Sequence, residues 1–90
     1  MAYYKWDHEK NDKLKAERGI GFEHIILHIE HGDLIDVIEH TNPSKYPNQH
    51  MLIVKIKNYA YLVPFVENEK GRFLKTIIPS RKATREYLGG

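Results

Sequence analysis

Cysteine is absent from the chain, which excludes disulfides, thiol nucleophiles, cysteine-ligated zinc fingers and iron–sulfur clusters. The core must therefore hold by packing and hydrogen bonding alone. No long hydrophobic run is present either: the longest apolar stretch, residues 59 to 66, is interrupted by Pro64 and is far too short to span a bilayer. The opening residues, Met1-Ala2-Tyr3-Tyr4-Lys5-Trp6-Asp7, contain no apolar signal-peptide segment, so a cytoplasmic location is expected. Charge of one sign is also lacking overall. Fourteen Lys+Arg face twelve Asp+Glu, a net of +2, which identifies no polyanion binder by itself. What remains is ordinary globular usage, 41% hydrophobic and 29% charged, and ninety residues supply one core, so a single domain over 1–90 is expected.

Along the chain the signals are short and alternate in type. Tyr3-Tyr4-Lys5-Trp6 suits a brief first strand, and Asp7 is placed to cap a helix over His8 to Arg18 that Gly19 ends in a left-handed turn. Phe22, Ile25, Ile26 and Ile29 recur at i, i+3, i+4 and i+7, one apolar stripe of a second helix that stops at Gly32. Leu34 to His40 fits either a short strand or a further helical turn, and Thr41 to Asn48, with Pro43 and Pro47, is a loop. Met51–Ile56 and Tyr59–Val66 are joined by Lys57-Asn58 as a hairpin. Pro64 cannot donate to a ladder, which predicts an edge strand or a bulge there. Arg72 to Ile78 reads as a third antiparallel strand, and Ser80 as the N-cap of a short last helix. The predicted class is α+β: a short N-terminal strand and two helices, then an antiparallel sheet of three to four strands and a C-terminal helix.

Resolved along the chain, the mild charge separates. Residues 1–69 hold eight Lys+Arg and eleven Asp+Glu, net −3, whereas residues 70–90 hold six and one, net +5. Arg81, Lys82 and Arg85 lie in the first turns of the last helix, where the helix dipole favours anions over cations. A phosphate there would be met by backbone N–H groups, the Ser80 hydroxyl and these side chains together. A solvated charged helix and a docking surface for an acidic protein are the alternatives. His24, His28 and His31 follow i, i+4, i+7 and share a helical stripe, suited to a metal or to acid–base work. The stripe offers no acidic ligand, however, and lacks the glutamate a zinc-protease helix places after its first histidine. No metal or other cofactor is expected. Trp6 stands out among the aromatics, set between Lys5 and Asp7, as a side chain that could stack on a nucleic-acid base.

Two stretches together resemble the BrnT family of type II toxins, small ribonucleases with a RelE-like fold. Lys5-Trp6-Asp7, Glu9-Lys10-Asn11, Leu14 and Arg18-Gly19-Ile20-Gly21-Phe22-Glu23 are similar to the family's opening pattern. Ile77-Ile78-Pro79-Ser80-Arg81-Lys82-Ala83-Thr84 with Tyr87 is similar to its closing run. The resemblance implies a metal-independent endoribonuclease that blocks translation. Its partners would be an RNA substrate and a ribbon-helix-helix antitoxin, with DNA contacted only through the antitoxin. In such a reaction a ribose 2′-hydroxyl attacks the neighbouring phosphate while cations stabilise the pentavalent state. Arg81 and Lys82 would clamp phosphate, Lys75 would be a second electrophile, and Trp6 or Tyr87 would position a base. His8, His50 and Tyr87 are the candidate proton donors. The chain departs from the family at Thr76 and at Tyr59-Ala60-Tyr61, where arginines are usual. The alternative is accordingly a non-catalytic module of the same fold that docks an antitoxin-like protein or nucleic acid through its basic C-terminal region.

Overall fold

A computed structural model describes residues 3–39, 44–45 and 49–89. Among the described residues nine elements follow one another: β1 (Tyr4–Trp6), α1 (His8–Arg18), α2 (Phe22–Glu30), β2 (Leu34–Glu39), β3 (Gln49–Ile56), β4 (Tyr59–Asn68), β5 (Gly71–Leu74), β6 (Ile78–Pro79) and α3 (Arg81–Leu88). The class is α+β as expected. The local signals act as predicted. Asp7 Oδ1 accepts the Glu9 N–H at 3.0 Å to start α1, and Gly19 ends it at φ 72°. Lys57 and Asn58 both adopt positive φ, 52° and 65°, the geometry of a tight two-residue hairpin turn between β3 and β4.

The sheet differs from the expectation in three respects. It has six strands in the order β1-β5-β4-β3-β2, with β6 also on β4, and it is mixed because β1 runs parallel to β5, Tyr4 opposite Arg72 and Trp6 opposite Leu74. Of the two alternatives for Leu34 to His40 the strand is the one formed, Leu34–Glu39 antiparallel to β3, and it is not among the three. The predicted strand from Arg72 to Ile78 is broken in two, and β4 with Pro64 is central rather than an edge. The break has a local cause, and it is what lets a proline sit in a central strand. Pro64 accepts the Lys75 N–H through its carbonyl at 2.8 Å but has no N–H to return, so pairing lapses opposite it. β5 pairs with Phe65–Asn68 on one side of the gap, and β6 with Tyr61 and Leu62 on the other. Within the predicted loop the structure describes only Ser44 and Lys45, a turn; the rest, with His40, lies outside the described residues.

Alternation along the strands sends side chains to two faces. Leu52, Val54, Ile56, Val63, Phe65 and Leu74 pack with Leu14, Phe22 and Ile25 of α1 and α2, while Ile53 and Ala60 pack on the opposite face with Ala83 of α3. Burying a residue such as Phe22 or Phe65 contributes about 1.5–3 kcal/mol by removal of apolar surface from water. α1 itself is almost wholly polar and is tied in by Leu14 and by Asn11. The Asn11 amide accepts the Phe22 N–H at 2.7 Å and donates to Glu23 Oε2 at 2.6 Å, joining the two helices.

Candidate functional site

α3 begins where the sequence places it. Ser80 Oγ accepts the Ala83 N–H at 3.1 Å, and the Thr84 hydroxyl donates to the Ser80 carbonyl at 2.8 Å while accepting the Ala60 N–H at 2.9 Å. The Ser80 N–H in turn reaches the Ala60 carbonyl at 3.0 Å. These bonds fix the start of the helix to the middle of the sheet and engage the Ser80 hydroxyl in the cap. Arg81, Lys82 and Arg85 are all exposed. None of the three makes an ion pair or hydrogen bond among the described residues, whereas Lys15, Lys55 and Arg72 each face a carboxylate. Lys75 is exposed beyond the end of β5, its ammonium 5.2 Å from the Phe73 ring centre. Tyr87 donates to Asp36 Oδ2 at 3.1 Å and shares a small hollow of about 130 Å³ with Ser80 and Lys82. Desolvation, then the bond to Asp36, raises the Tyr87 phenol above its ordinary value, so it is a weak acid that anchors α3 to β2.

Trp6 is not part of this surface. Its ring stacks on Phe22 at 5.8 Å in the cluster beneath α1 and α2, on the sheet face opposite α3, because Trp6 is paired with Leu74, whose side chain points the same way. It lines a shallow groove of about 320 Å³ with Tyr4, Lys5 and His8. The candidate proton donors are also dispersed. His8 belongs to the Trp6 groove, and His50 stacks on Phe65 at 5.6 Å with Nδ1 buried and without a hydrogen-bond partner among the described residues. The Phe65 ring also carries the Arg72 guanidinium, 4.9 Å from its centre, which Glu67 holds at 2.9 Å.

The histidine stripe resolves into separate local bonds rather than a cage. His24 Nδ1 accepts the Gly21 N–H at 2.8 Å, His31 Nδ1 pairs with the Leu27 carbonyl at 2.8 Å, and His28 Nδ1 lies 2.8 Å from Asp33 Oδ2. Among the described residues no group of three histidine, aspartate or glutamate side chains could hold a metal ion. The bond from His28, followed by the charge of Lys55, holds the Asp33 carboxyl below its ordinary range against the opposing effect of desolvation. His24 and His28 instead line a groove of about 520 Å³ with Arg18, Lys57 and Tyr61.

This groove opens on the sheet face covered by α1 and α2, opposite the face on which α3 packs, near the end of β4 where α3 begins. Arg18 Nη1 donates to the Ile77 carbonyl, three residues ahead of Ser80, and Tyr61 is paired with Pro79. Arg18 and Lys57 were thus missed as site residues by the sequence reading, since they come from a helix end and a hairpin turn that only the fold brings together. Tyr61 lines the same groove. No family model, no curated protein and no solved structure matches the chain.

Proposed function

We propose that the protein is an RNA-cleaving toxin of a type II toxin–antitoxin pair, acting in the cytoplasm and held inactive by a ribbon-helix-helix antitoxin. One observation carries the reading: three exposed cations without partners among the described residues, Arg81, Lys82 and Arg85, extend from the capped start of α3, and Arg18 and Lys57 add positive charge to the groove on the opposite sheet face. Cations left without carboxylate partners are suited to phosphates, and an RNA backbone presents one at each nucleotide. Arg81 and Lys82 engage phosphate, with Arg85 one helical turn further along and Lys75 supplying additional positive charge. The resemblance to BrnT toxins supports the same assignment. No helix among the described residues is long and apolar enough to cross a membrane.

Induced expression tests the proposal. The wild-type chain arrests growth, and the double variant Arg81→Ala/Lys82→Ala does not. Arrest by both, or by neither, overturns the phosphate role given to these two residues.

A further inference from the structure

We propose that the groove lined by Arg18, His24, His28, Lys57 and Tyr61 seats the scissile phosphodiester of single-stranded RNA, with His28 as the general base that activates the ribose 2′-hydroxyl. The inference rests on the RNA-directed reading above and adds to it a reaction site and a catalytic residue.

The argument begins with proton positions. A carboxylate only accepts hydrogen bonds, so the contact of Asp33 with His28 Nδ1 requires Nδ1–H to donate, and the lone pair of the neutral ring is then on Nε2. Nε2 has no partner among the described residues. His24 is set the other way. Its Nδ1 accepts the Gly21 N–H, so its ring proton is on Nε2 and makes it a neutral hydrogen-bond donor. One helical turn therefore presents a base and a donor side by side at i and i+4. His31 does not complete the pair, being bonded at Nδ1 to the Leu27 carbonyl and outside the groove lining.

The remaining lining suits the charge that develops on phosphorus. Arg18 is held by one guanidinium nitrogen on the Ile77 carbonyl, which fixes the group while its other N–H donors have no partner among the described residues. Lys57, in the β3–β4 hairpin turn, lines the same groove, and Tyr61 offers a ring on which a base can stack. In the reaction the 2′-hydroxyl proton passes to His28 Nε2 as the bond from the 2′-oxygen to phosphorus forms. The bond from phosphorus to the 5′-oxygen breaks, and that oxygen takes a proton from solvent water. The His28 imidazolium returns its proton to the hydroxide so produced. The products are a 2′,3′-cyclic phosphate and a 5′-hydroxyl, and no further reactant is consumed. Arg18, Lys57 and His24 Nε2–H stabilise the pentavalent phosphorus. Asp33 is a positioning residue that keeps the His28 tautomer.

Two measurements on the purified full chain test the groove. In the first, imidazole proton resonances are followed while a short mixed-sequence RNA, 2′-O-methylated throughout and hence uncleavable, is added. Shifts at His24 and His28 with little change at His8 and His50 are expected. Absence of shifts at His24 and His28 overturns the groove while leaving the growth-arrest reading of α3 intact. In the second, cleavage of the all-ribose RNA is compared across variants. His28→Asn, whose amide keeps a donor for Asp33, lowers kcat by about 10²–10⁴-fold with RNA affinity retained. Asp33→Asn lowers kcat with KM unchanged, and His31→Asn behaves as wild type. Cleavage by His28→Asn at the wild-type rate overturns the assignment of the base.

Discussion

The side-chain carbonyl of Asn11 accepts the backbone N–H of Phe22 at 2.7 Å inside the protein, where Asn11 is 5% and Phe22 0% exposed. This one bond supplies the start of α2 with the acceptor that Gly21, having no side chain, cannot offer. Together with buried Leu14 it holds so polar a helix as α1 in place.

Asn11→Ala is accordingly expected to destabilise the fold by about 1–3 kcal/mol, the cost of leaving the buried Phe22 N–H unpaired. Urea unfolding measures it. The midpoint should fall while the slope stays the same, since the surface exposed on unfolding is nearly unchanged.

Glu23 stands at the same junction and gives the fold a definable acid sensitivity. Lys15 first, then Asn11, lower its carboxyl from 4.5 to about 2. A carboxyl depressed in the folded state contributes stability above its ordinary value and loses it as pH falls through the folded one. The gap between wild type and Glu23→Gln is thus expected to be full at pH 7, to shrink below about pH 4.5, and to close near pH 2. Unfolding midpoints of both proteins across that window check the sign.

The α3 cations predict a salt dependence. If Arg81, Lys82 and Arg85 each neutralise a phosphate, replacing one by alanine lowers the slope of log affinity against log salt for single-stranded RNA by about 0.7. Replacing all three should have a threefold effect, and it should be similar for RNAs of different sequence, because phosphate contacts carry no base information. Fluorescence anisotropy at several salt concentrations measures it.

What the sequence disclosed follows the range of the interactions. Asp7, Gly19, Lys57-Asn58 and Ser80 act through bonds to residues within four positions, so their roles are legible from residue type and spacing. The parallel pairing of Tyr4 with Arg72 spans nearly the whole chain and has no local signature. Pro64 was legible as a break in pairing, but not as one inside a central strand, because that depends on β5 and β6 sharing one neighbour. The site divides in the same way. The cations of α3, Arg81, Lys82 and Arg85, fall within five residues and are visible as a cluster in the sequence. The groove draws Arg18, His28, Lys57 and Tyr61 from four places in the chain, and the histidine stripe was visible without the partners that give each ring its tautomer.

The most direct measurement is incubation of the purified protein with mixed-sequence single-stranded RNA in the presence of a chelator, followed by analysis of the new ends. RNA cleavage with 5′-hydroxyl and 2′,3′-cyclic phosphate termini is the predicted result. RNA that stays intact under these conditions, from protein that is folded by circular dichroism, would contradict the account.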